Sequence, residues 1–170
     1  MLVFDRGGDP EARRTAAALL GRPEDRSLRV LGVGIGRRAD ALADGYRERA
    51  RDDDLLALVN VGAVGPNPRG AHVADVTDLT GIGIRMTTAL RRWDRGAVRA
   101  CVDSLSPLLG QVSFERAYRF VDVMTSRIAR VGASHWHVDP RAHDDRTLHR
   151  LMSAFDAVVR EDGGEWTVRA

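Results

Sequence analysis

The residues of this chain best suited to chemistry begin in Ala97–Ser106, AVRACVDSLS. Val98, Ala100, Cys101 and Val102 lead into Asp103 and then into the hydroxyls of Ser104 and Ser106, with Arg99 the one charge ahead of the aspartate. A short apolar run of this kind, closed by turn residues, predicts a strand buried in a parallel sheet. Open α/β sheets bind their ligands beyond the carboxyl ends of the strands, and Asp103 would stand at such an end. A carboxylate there holds Mg²⁺ directly or through water, as nucleotide-hydrolysing sites require.

Such a site also needs a phosphate-binding loop, and the turn after the first apolar run is the place to look. Gly8-Asp9-Pro10-Glu11-Ala12-Arg13-Arg14-Thr15 keeps the spacing of G-x-x-x-x-G-K-[ST], with Arg13 at the second glycine and Arg14 at the lysine. That loop aims backbone N–H groups at phosphate, while the lysine bridges and the hydroxyl holds Mg²⁺. Gly7, Gly8, Arg14, Thr15, Asp103 and Ser104 are therefore the candidate residues for ATP, with Asp103 the candidate for Mg²⁺ and, were the site active, for catalysis. Three features degrade it. Arg13 brings a Cβ where close approach favours glycine, Arg14 replaces a compact ammonium with a planar fork, and Asp9 and Glu11 repel phosphate. Asp9-Pro10 is also a helix start, N-cap then first-turn proline, and it cuts across the loop.

A second cluster is His135-Trp136-His137-Val138-Asp139-Pro140, with His143, Asp144 and Asp145 close behind. On a strand His135 and His137 share a face, and alternation puts Asp139 on the same side. Two imidazoles and a carboxylate suit Zn²⁺ or Mn²⁺, so His135, His137 and Asp139 are candidate metal ligands of a metal-dependent hydrolase. Against this, His72 and His149 are the histidines left to complete such a site from elsewhere. Asp144 or Asp145 is expected to cap the following helix. The arginine groups Arg37-Arg38, Arg91-Arg92-Arg95 and Arg141-Arg146-Arg150 alternate with acids and lack an aromatic platform, so they predict a solvated surface rather than a nucleic-acid face.

The elements that must position these residues follow from periodicity. Apolar runs over Met1–Phe4, Leu28–Ile35, Leu55–Val61, Ala97–Asp103 and Ala133–Val138 predict five strands. Glu11–Leu20, Ala39–Arg51, Thr77–Trp93, a segment capped by Ser113 and one started by Asp144 or Asp145 predict helices between or after them. The Ser113 helix is expected to bury Phe114, Ala117, Tyr118, Val121, Met124 and Ile128, and the last helix Leu148, Leu151, Met152 and Phe155. Gly62–Gly70 is expected to be a loop. AVVR and EWTV around Asp162-Gly163-Gly164 predict a hairpin, although AVVR also fits the end of the preceding helix. Strand–helix alternation of this kind calls for an α/β fold, a mostly parallel sheet covered by helices on both faces with an antiparallel C-terminal hairpin.

With 170 residues the chain is expected to form one domain. No apolar stretch is long enough to span a membrane, and the opening apolar run is too short for a secretory signal. The single cysteine, Cys101, rules out a disulfide framework and points to a reduced, cytoplasmic setting. All 26 basic residues are arginine, so neither lysine Schiff-base chemistry nor a P-loop lysine is available.

The runs TGIGIRMTTALRRW and VDSLSPLLGQVSFERAYRFVDVMTSRIARVGASHWHVDPRAHDDRTLHRLMSAFDAVV resemble the KaiC-like branch of the RecA superfamily, and within it a group of uncharacterised haloarchaeal proteins. The strand followed by Asp103-Ser104-Leu105-Ser106 is similar to that family's Walker-B segment. The resemblance covers residues 75 to 160 well and the N-terminal half in outline. It implies a RecA-like core with an ancestral ATP site between Gly7–Thr15 and Asp103, and places His137 and Asp139 beside it as polar lining. With the lysine missing, the expectation is a non-hydrolysing regulatory or assembly protein working through a protein partner or a second copy. A weak ATPase completed by Arg14 or by a neighbouring subunit is the alternative.

Overall fold

Val, Leu, Ile and small residues dominate LVF, RVLGVGI, LALVNV, VRACVD and GASHWHV, and each run is a strand of one sheet. The computed structural model describes residues 1–5, 28–37, 39, 56–62, 70–93, 98–162 and 165–169. The expected helix over Glu11–Leu20, the loop residues Gly7, Gly8, Arg14 and Thr15, and all but Ala39 of the helix expected over Ala39–Arg51 lie outside these residues.

The strands are β1 (Leu2–Phe4), β2 (Arg29–Ile35), β3 (Leu56–Val61), β4 (Ala71–Val73), β5 (Val98–Asp103), β6 (Gly132–Val138), β7 (Val158–Asp162) and β8 (Glu165–Arg169). They form one eight-stranded sheet in the order β4-β3-β2-β5-β6-β1-β7-β8. Every pairing is parallel except β7 with β8. The fold is thus the α/β architecture that alternation calls for, antiparallel C-terminal pair included. AVVR belongs to the sheet and not to the preceding helix. β4 was not expected, because His72 and its neighbours give three residues too little pattern to read.

The described helices are α1 (Leu79–Arg91), α2 (Ser106–Leu109), α3 (Phe114–Ala129) and α4 (Asp145–Met152). Asp78 caps α1 by accepting from the Gly81 N–H at 2.8 Å, and Asp144 caps α4 by accepting from the Thr147 N–H at 2.8 Å. Ser113 stands at the start of α3 as expected. Its buried stripe runs through Ala117, Phe120, Val121, Met124 and Ile128. Phe120 takes the inward place expected for Tyr118, whose hydroxyl lies 3.1 Å from Ser153 Oγ at the surface. The phenol finds a polar partner there, so the all-carbon ring is the one buried.

Alternation gives the sheet two unlike faces. Leu31, Val33 and Ile35 of β2, Val98, Ala100 and Val102 of β5, and Trp136 and Val138 of β6 join Ile82 and Met86 of α1 and Val121 and Met124 of α3 in one core. The interleaved positions carry the chemistry: Arg99, Cys101 and Asp103 on β5, His135 and His137 on β6. Among the described residues no helix is long and apolar enough to cross a membrane.

Candidate functional site

Strand order locates the site before any side chain is considered. The chain leaves β2 for β3 on one side and leaves β5 for β6 on the other, and β2 and β5 are neighbours. Such a topological switch opens a crevice at the carboxyl ends of the two strands, where ligands of open α/β sheets bind. Asp103 ends β5 there, in register with Gly34 of β2.

Described residues from both strand exits meet there. Arg37, two residues past β2, places Nη1 3.0 Å from Asp103 Oδ2, an ion pair across the switch point. Just beyond β2, Gly36 adopts φ +70°, and a Cβ there would come within 2.9 Å of Pro107 Cγ. The exits of β2 and β5 are packed against each other. Asp103 is buried, which raises its carboxyl above the usual 3.8 although His137 and Arg37 pull it down. Its Oδ1 has no hydrogen-bond partner among the described residues. Ser104, also buried, accepts from the Ser106 N–H at 3.1 Å.

β6 brings its histidines to the same region. The β5–β6 register pairs Cys101 with His135, and Asp103 and His137 each follow the last registered pair, Val102 with Trp136. The loops beyond are fastened: the Leu105 N–H donates to the His137 carbonyl at 2.8 Å, and the Asp139 N–H to Ser106 Oγ at 2.9 Å. At the end of β1, Asp5 donates its N–H to the Val138 carbonyl at 3.1 Å. Its carboxylate Oδ2 accepts from His137 Nδ1, so a buried acid and a buried imidazole form a pair. His137 Nε2 in turn lies 2.9 Å from His135 Nδ1. Whichever ring carries the inner proton, His135 Nε2 is left buried without a partner among the described residues, as is Asp5 Oδ1.

The metal triad expected from sequence does not assemble. Asp139 lies just past Val138, where β6 ends and Pro140 turns the chain, so strand alternation no longer sets its direction. Its carboxylate accepts from Arg141 Nε and Nη2 at 3.1 and 2.9 Å and is held below the usual carboxylate range by that pairing. The third ligand-type side chain beside His135 and His137 is Cys101. Sequence reasoning thus missed Asp5, Arg37 as the partner of Asp103, and the place of Cys101. A register of β1, β5 and β6 would have found the first and last, since Asp5 ends its strand as Asp103 ends its own.

Of the arginine groups, Arg37 and Arg141 are engaged with Asp103 and Asp139. Arg150 stands 4.1 Å over the Phe114 ring. Arg91, Arg92 and Arg146 are exposed, and Arg38 and Arg95 lie outside the described residues.

The site predicts an acid sensitivity. Burial first, and then the charges of His137 and of the amino terminus, hold His135 well below its ordinary 6.5. The unfolded chain takes up that proton as pH falls through 6.5 and the native one does not. Stability should therefore drop by up to about 1.4 kcal/mol per pH unit until the depressed native value is reached. Asp103 acts in the opposite sense: its raised pKa stabilises at low pH, and that contribution is lost as pH rises through it. Urea midpoints measured across this range should show a shallower acid slope in His135→Gln than in the parent; equal slopes would contradict the assignment.

Fold and site together describe an α/β domain in which an ion pair, Arg37 with Asp103, spans the switch point between β2 and β5. The chain belongs to DUF7504, a family of unknown function whose match spans residues 1–161. Nothing among curated proteins matches it. A solved protein of Pyrococcus horikoshii OT3 (Project ID PH0250) is similar in fold, with a TM-score of 0.62 and 11% identity, over 99% of this chain and 84% of that one.

Proposed function

We propose that this chain is a RecA/KaiC-like domain that does not hydrolyse nucleotide and acts as a regulatory or assembly protein, through a protein partner or a second copy of itself. The observation that carries this reading is the bridge between Arg37 and Asp103 across the β2/β5 switch point. An aspartate that must gather Mg²⁺ needs its oxygens free for the metal or its waters. Here one oxygen is taken by the Arg37 guanidinium, and the carboxylate is buried from solvent.

The charge around the position argues the same way. Asp5, at the end of β1, adds a second buried carboxylate where a triphosphate would bring further negative charge. No lysine exists anywhere in the chain to offset it, and a positive group aimed at the transferred phosphoryl is what stabilises charge in that reaction. Among the described residues, Asp103 with its guanidinium partner is poorly suited to hold Mg²⁺, which supports this reading. ATP turnover by the full chain with Mg²⁺ should equal the protein-free control and be unchanged by Asp103→Ala. A robust rate that Asp103→Ala abolishes would overturn this reading in favour of a partner-independent ATPase.

A further inference from the structure

We propose that Cys101, His135 and His137 form a buried binding site for a borderline-soft divalent metal, Zn²⁺ being the ion whose ligand preferences they match. Ligand atoms of the three side chains all lie within 4.8 Å of one another. None of the three residues is more than 2% exposed. The cluster is a product of register: Cys101 on β5 sits opposite His135 on β6, and His137 falls on the same face two residues on.

The spacing is close to what a bound ion needs. Two nitrogens about 2.0–2.1 Å from one tetrahedral Zn²⁺ are about 3.3 Å apart, and a thiolate at about 2.3 Å lies slightly farther from each. The facing nitrogens of His135 and His137 are 2.9 Å apart, and an ion would replace the hydrogen bond between them as both rings turn toward it. Asp5 supplies the outer shell. By accepting from His137 Nδ1 it fixes the tautomer that leaves Nε2 as the ligand, the carboxylate–histidine arrangement that supports metal-bound imidazoles.

Asp103 is paired with Arg37 and Asp5 with His137, and a divalent ion coordinated by one thiolate would add one net positive charge near these two carboxylates. The ligand set also selects the metal: sulfur and imidazole favour Zn²⁺ over Mg²⁺, which prefers oxygen. This site is separate from the nucleotide question, and either conclusion stands if the other fails.

Co²⁺ is the spectroscopic probe. The full chain, stripped with chelator and titrated with Co²⁺, should bind about one equivalent, show a near-ultraviolet thiolate-to-cobalt charge-transfer band, and lose that band when Zn²⁺ is added. Because Cys101 is the only cysteine, the band can come from no other residue. Cys101→Ser should abolish it, and Asp5→Asn should keep it while weakening affinity roughly 10–100-fold. The parent protein alone can overturn the proposal, so a variant that fails to fold does not rescue it. Absence of binding, or binding without the sulfur band as exposed His72 or His149 would give, sinks it.

Discussion

Replacing Trp136 with alanine should destabilise the fold by about 3–5 kcal/mol, the range for removing a large aromatic from a packed core. Trp136 is fully buried in the middle of the sheet, on β6 between β5 and β1. Phe120 of α3 meets it edge-on with centroids 6.4 Å apart, and Phe155 does so from beyond α4 at 6.2 Å. Its indole N–H donates to Ser134 Oγ at 2.9 Å, so the one polar atom is satisfied. Truncation would open a cavity touching two helical segments and leave Ser134 without that donor. Urea denaturation followed by circular dichroism should show the loss, and Trp136→Phe should recover part of it. A change below about 1 kcal/mol would mean that the surrounding core collapses into the space, contrary to the packing described.

The second large effect concerns the buried acid at the end of β1. Asp5→Ala should destabilise by about 1–3 kcal/mol, because removing the acceptor leaves a buried N–H unsatisfied. His137 would keep an Nδ1–H facing the place Asp5 occupied, in surroundings too buried for water to replace the acceptor. Asp5→Asn retains an acceptor oxygen and should cost less. The pair can be isolated with a double-mutant cycle: once His137 is also replaced by alanine, the further loss from Asp5→Ala should shrink sharply. Additive losses would show that the two side chains act independently, and would remove the basis for treating them as a unit.

Periodicity made much of the framework readable. LRVLGVGI, LLALVNV and ACVD are apolar because β2, β3 and β5 are covered on both faces, and the Asp144-Asp145 start reads as a cap because the Asp144 oxygen satisfies an N–H of the first turn. Cys101, Asp103, His135 and His137 were visible as residue types with chemistry. Their partners were not. Asp5 and His137 are 132 positions apart, and Arg37 and Asp103 are 66 apart. Only the order of strands across the sheet brings them together, and that order is a long-range property that local spacing does not encode. Asp139 shows the converse failure, since alternation was extended one residue beyond the strand that justified it.

The proposed reading rests on the Arg37–Asp103 pair across the switch point, so the most direct measurement is equilibrium binding of a fluorescent ATP analogue with Mg²⁺ to the full chain. The expected result is no saturable binding up to millimolar nucleotide, the same with Asp103→Ala or Arg14→Ala as with the parent. Saturable binding in the parent that either substitution removes would contradict the account, because Asp103 would then be available to metal and triphosphate rather than held by Arg37.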